Sequence, residues 1–131
     1  MTAKAPVLIT WVAINNDPFE RERSKASYTL ADGAPVPGPT LTLLFDEESP
    51  WAGQVRDVVL LHRKADGKDG ERERRAVGET VGELQRRQPE LRVHLEPWQA
   101  EDPTDYGAIF EFLRTKMPEL RRRFVGHELV I

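Results

Sequence analysis

The chain has 131 residues, of which 39% are hydrophobic and 31% charged, with a formal net charge of −3 and no cysteine. That composition suits one soluble globular domain with a modest core and argues against disorder along its whole length. It excludes disulfides, thiolate catalysis and cysteine-based zinc sites, and its slight acidity gives no overall drive toward nucleic acid or an anionic membrane.

Local basic clusters remain at Arg72–Arg75, Arg86–Arg87 and Arg121–Arg123. No apolar run approaches the roughly 20 residues that a membrane-spanning helix needs. The chain opens Met1-Thr2-Ala3-Lys4-Ala5-Pro6 and passes directly into an apolar run with no cleavage site, so it does not read as a signal peptide. A cytoplasmic protein in a reducing compartment is the expectation.

Val7 to Ile14 is apolar except at Thr10 and rich in β-branched residues. It reads as a strand buried on both faces, at or near the centre of a sheet, with Trp11 in the core. Asn15-Asn16-Asp17-Pro18 ends it with turn chemistry. Residues 20–37 carry mixed charge, Gly33 and prolines, and read as a long surface loop. Gly38-Pro39 followed by Leu41, Leu44 and Phe45 suggests a short helix, with a strand as the competitor because Thr40 to Leu43 also alternates.

Val55 to His62 is the second strand, with Trp51 anchoring the loop before it. After a turn at Lys64 to Gly70, Glu71 to Gln88 reads as a helix with Val77, Val81 and Leu84 on one stripe. Gly78 and Gly82 lie four apart within it, which suggests close packing of this helix on the sheet. Leu91 to Leu95 alternates and gives a third strand nearer the edge. Asp102-Pro103-Thr104-Asp105 reads as a helix start, with Asp102 as N-cap and Pro103 at the first position. The helix that follows places Tyr106, Ile109, Phe110, Leu113, Met117 and Leu120 on one face, and Pro118 should kink or restart it. His127 to Ile131 opens a fourth strand, in which the chain stops.

Strands alternating with helices build a parallel sheet covered on both faces. Right-handed crossovers give the strand order 3-2-1-4, a three-layer Rossmann-like α/β fold over residues 1–131, truncated in or after its fourth strand. Ligands of such sheets bind at the carboxyl ends of the strands, where the winding reverses. That position falls beside the loop after strand 1.

Dinucleotide, Walker A and nucleophile-elbow motifs are absent. His62, His94 and His127 show no metal-ligand spacing, so neither a metal nor a cofactor is expected, and no catalytic nucleophile stands out. The residues Asn15, Asn16, Asp17 and Phe19 are the leading ligand-binding candidates: short polar side chains and backbone N–H groups at a strand's carboxyl end can hold phosphate or base edges. A plain strand-ending turn is the alternative. His62 and Arg63 follow strand 2 and offer contacts to a phosphate, or a solvated loop. Trp98 follows strand 3 and either stacks on a base or caps the core.

The segments Asp17-Pro18-Phe19 and Gly38-Pro39, the strand Val58-Val59-Leu60-Leu61-His62-Arg63 and the run Asp102-Pro103-Thr104-Asp105 together resemble CARF (CRISPR-associated Rossmann fold) domains. The nearest variety is the N-terminal sensor of sigma-54-dependent activators related to the regulator of the RNA-repair (RNA-terminal phosphate cyclase) operon. This resemblance implies a homodimer that binds an RNA-derived nucleotide, a cyclic oligoadenylate or a processed RNA end, and controls a fused or partner effector domain. It assigns residues 15–19 to the first ligand-binding motif and expects a second motif after a fourth strand. A metal-independent ring nuclease, a receiver-like phosphoacceptor domain and a protein-interaction module are the alternatives. The receiver reading fails for want of an aspartate at the end of strand 3, where Glu96-Pro97-Trp98 stands.

Overall fold

The computed structural model describes residues 4–12, 27–29, 35–37, 44–45, 47–64, 66–99, 102 and 105–131. Six strands are present among them: β1 (Val7–Trp11), β2 (Ser27–Thr29), β3 (Pro35–Pro37), β4 (Asp57–Lys64), β5 (Arg92–Gln99) and β6 (Leu129–Val130). Two long helices, α1 (Gly67–Arg87) and α2 (Tyr106–Arg123), link β4 to β5 and β5 to β6.

The main sheet has the order β5-β4-β1-β6. Every pairing in it is parallel: Val7 lies opposite both Asp57 of β4 and Leu129 of β6, and Asp57 lies opposite Arg92 of β5. The expected order 3-2-1-4 is therefore the observed one, with the apolar run of β1 in the interior.

Period-two alternation divides the apolar residues of β1 and β4 between two cores. Leu8, Val58 and Leu60 join Leu84 of α1 and Leu91 on one face, with Phe45 and Trp51 packed against them. Val7, Ile9, Val59 and Leu61 join Leu120 and Phe124 on the other, with Leu113 and Met117 of α2 alongside. Each helix buries its stripe on one side of the sheet, which gives three layers.

Several local expectations need correction. Residues 20–37 are not simply a loop, because β2 and β3 pair antiparallel there, Tyr28 opposite Val36. Of the 38–45 helix, Leu44 and Phe45 are helical and the remainder lies outside the described residues. β4 runs two residues further than His62, and β5 runs through Pro97 and Trp98 to Gln99. Proline is tolerated there because β5 is the sheet's edge, where one row of N–H groups has no ladder to serve.

The helix boundaries also shift. α1 begins at Gly67, one turn early, where a φ of 67° makes the turn that glycine allows most freely. The N-cap of α2 is Asp105, not Asp102: its carboxylate accepts the Ala108 N–H at 3.0 Å, and the helix starts at Tyr106. α2 runs through Pro118 as one helix to Arg123. Gly78 and Gly82 do not pack on the sheet. Both are exposed, and a Cβ added to either would meet no atom within 4 Å.

Candidate functional site at the carboxyl end of the sheet

The chain winds outward from β1 through β4 to β5, then crosses back over the sheet to place β6 on the other side of β1. The winding reverses between β1 and β6, and ligands of such sheets usually bind outside the carboxyl ends of the strands at that point. Asn15, Asn16, Asp17 and Phe19 lie outside the described residues. His62, Arg63 and Trp98 all stand at this end, on neighbouring strands: His62 is opposite Pro97, and Arg63 is opposite Trp98.

Their environments differ. Arg63 is 4% exposed, and its Nε donates to Glu73 Oε1 on α1 at 2.9 Å. Its charge is thus engaged within the fold, and it ties the end of β4 to the second turn of α1. Trp98 is also buried and meets Trp11 edge to face, with ring centroids 5.8 Å apart. Of the two roles open to Trp98, packing against a neighbour is the one its surroundings display. Trp11 is the reverse of expectation. It is 36% exposed rather than core, because as the last residue of β1 it stands beyond the apolar cover that shields Val7 and Ile9. The aromatic surface open to solvent at this end therefore includes Trp11.

His62 is half-buried. Burial lowers its pKa from the ordinary imidazole value, Lys64 lowers it further, and Glu96 opposes both. The ring is consequently neutral near pH 7, and neither of its nitrogens has a hydrogen-bond partner among the described residues. A neutral imidazole of this kind offers one donor and one acceptor to a ligand.

Two further polar clusters escaped the sequence reading. At the amino end of β4, Asp57 is 4% exposed and receives two hydrogen bonds from Arg92, each 2.8 Å, while His94 Nε2 lies 2.9 Å from its Oδ1. The Arg92 hydrogen bonds hold the Asp57 carboxyl below its usual range against the opposing effect of burial, and His94 assists. The signal was present in an acid opening an apolar strand and in Arg92 and His94 sharing one face of the next. On the α2 side, buried Glu96 accepts from Lys116 at 2.9 Å and pairs with Arg123 at 2.7 Å. Burial raises the Glu96 pKa, but the bonds from Lys116 and Arg123 outweigh it and the net shift is downward. These clusters pin β4 to β5 and β5 to α2.

Among the described residues, no group of three or more His, Cys, Asp or Glu side chains is placed to hold a metal ion, and no helix is long and apolar enough to cross a membrane. No family model matches the chain, and neither a curated protein nor a solved structure is similar to it at a significant level.

Proposed function

We propose that this chain is a ligand-sensing regulatory domain that takes an RNA-derived nucleotide, a cyclic oligoadenylate or a processed RNA end, in a crevice at the carboxyl end of β1. The single observation that carries the reading is the interior position of β1 between two parallel neighbours, with the winding reversing on its β6 side. Exposed Trp11 offers a face for a base, and neutral His62 offers hydrogen-bonding capacity without a charge that must first be separated from a partner. Asn15, Asn16 and Asp17 supply short polar groups a few residues after β1 in sequence.

In this reading the domain acts as a homodimer. It controls an attached effector, a sigma-54 transcription activator, by binding one dimer arrangement more tightly than the other. The work is recognition, and Arg63 supports the site through Glu73 rather than by direct contact with phosphate. The test is a thermal-shift series with cyclic tetra-adenylate, cyclic hexa-adenylate and short RNAs ending in a 2′,3′-cyclic phosphate. A saturable rise in Tm with one of these, reduced by Trp11→Ala or Asn15→Ala, supports the proposal. No shift with any of them contradicts it, and linear products from the cyclic ligand would make the domain a ring nuclease instead.

A further inference from the structure

At the amino end of the sheet, opposite the proposed nucleotide position, a buried carboxylate holds an imidazole. Asp57 opens β4 and lies opposite Arg92 of β5, and His94 is the next residue of β5 on the same face. His94 Nε2 is 2.9 Å from Asp57 Oδ1. Arg92 donates to both oxygens of that carboxylate, from Nε and Nη2, and these bonds keep it ionised. An ionised carboxylate only accepts, so His94 Nε2 carries the ring proton and donates it. In the neutral ring the lone pair therefore stands on Nδ1.

That second nitrogen is the open side of the ring. Nδ1 has no hydrogen-bond partner among the described residues, and it does not belong to the buried polar atoms that lack one, so it meets solvent. The side chain as a whole is 29% exposed. Phe124 meets the ring edge to face, with centroids 5.3 Å apart, and limits its rotation. The loops entering β4 and β5 and the turn from α2 to β6, which gather at this end, all lie within the described residues.

A pin between β4 and β5 needs only Arg92, whose two bonds serve both carboxylate oxygens. The histidine adds a nucleophile. A carboxylate on one imidazole nitrogen fixes the tautomer and raises the basicity of the other, and it stabilises the imidazolium that forms when the other nitrogen takes an electrophile. The remaining histidines lack this support. Nδ1 of His127 lies against a neutral acceptor, the Ala5 carbonyl, and His62 has no hydrogen-bonded acid among the described residues. Arg92, 64% exposed along its side chain and two residues from His94, selects an anionic electrophile, and its Nη1 is not used by Asp57.

From this dyad beside an exposed guanidinium we propose that His94 is a phosphoryl-acceptor residue, modified at Nδ1 by a small phosphoramidate. The Nδ1 lone pair attacks phosphorus and forms the new N–P bond. The donor's own P–N bond breaks, and its electron pair leaves with ammonia. The ring becomes an imidazolium that keeps its Nε2 proton, and Asp57 balances that charge. Arg92 neutralises Asp57 beforehand, so the incoming anion does not face an uncompensated carboxylate. Asp57 is a positioning residue here. The site stands apart from the nucleotide position and does not depend on that reading.

The test incubates the full chain with potassium phosphoramidate beside N-acetylhistidine. Intact mass counts the phosphoryl groups, and the phosphorus and imidazole nitrogen spectra identify the residue and the nitrogen modified. His94 is expected to react first, at Nδ1, roughly tenfold faster than N-acetylhistidine, the usual worth of a charge-assisted hydrogen bond. His94→Gln should remove that product. Asp57→Asn, with its folded amide spectrum verified, should slow the reaction by about the same factor and shift the product toward Nε2. The unmodified sequence decides even where that variant fails to fold. No phosphohistidine, a product at Nε2 of His94, or earlier reaction of His62 or His127 overturns the proposal. So does a folded Asp57→Asn variant with unchanged rate and unchanged nitrogen.

Discussion

Arg63 Nε and Glu73 Oε1 lie 2.9 Å apart at the carboxyl end of β4, with side-chain exposures of 4% and 5%. Charges this far out of water are held by each other, and their net contribution is smaller than the cost of losing either one. We expect Arg63→Met or Glu73→Leu alone to destabilise the domain by about 3–5 kcal/mol, and the double variant to recover most of that loss. Urea unfolding of the four proteins gives the coupling directly. Additive losses would show that the two side chains are not one unit.

The exposed glycines of α1 make a prediction of opposite sign. Gly78 and Gly82 have ordinary helical φ and open space where a side chain would stand. Gly78→Ala and Gly82→Ala should each stabilise the fold by about 1 kcal/mol through a smaller backbone entropy loss. A lower Tm for either would mean that something covers this face.

Three buried or half-buried groups with lowered pKa values, His62, Asp57 and Glu96, shape the pH dependence of stability. His62 is lowered from 6.5 by burial first and by Lys64 second, so the unfolded chain binds its proton more readily than the folded one. Its contribution is fully present above about pH 6.5 and is lost as pH falls through the folded value. Asp57, held below 3.8 mainly by Arg92, and Glu96, held below 4.5 by Lys116 and Arg123 against burial, contribute above those values and are lost as pH falls through their folded ones. Urea midpoints measured from pH 8 to pH 2 should therefore fall in two stages. His62→Asn should remove the first stage and Asp57→Asn should flatten the second. A single transition unaffected by His62→Asn would contradict the assignment.

Much of the fold was legible because it rests on periodicity. The apolar run of β1, interrupted only by Thr10, announced an interior strand, and the alternation of Leu91 to Leu95 announced an edge. Boundaries were less legible, since they depend on tertiary support. Nothing local says that Pro97 continues β5, because its tolerance comes from that strand's place at the edge. Nothing local says that Asp105 rather than Asp102 caps α2, because both sit in good capping contexts and the Ala108 N–H decides. The glycines misled because spacing shows only that two small residues share a helix face, not which way the face turns.

The site was legible to a smaller degree. The address of the candidate site rests on topology, and His62, Arg63 and Trp98 do gather at that end of the sheet. Their states depend on partners distant in sequence. Arg63 is buried by a glutamate ten residues away on α1, and Trp98 is buried against a ring contributed by β1. Trp11 belonged to the most apolar stretch of the chain, and only its place as the last residue of β1 exposes it.

The three tryptophans offer natural reporters of the proposed crevice. Trp11 stands at the carboxyl end of β1, Trp98 touches it at 5.8 Å between centroids, and Trp51 packs on the opposite core in the loop entering β4. The most direct measurement is the displacement of their indole N–H signals during titration with cyclic tetra-adenylate and with RNA ending in a 2′,3′-cyclic phosphate. Nucleotide binding at the carboxyl end of β1 predicts saturable movement of Trp11, a smaller movement of Trp98 and a stationary Trp51. Movement of Trp51 alone, or no movement of any indole at saturating nucleotide, would contradict it.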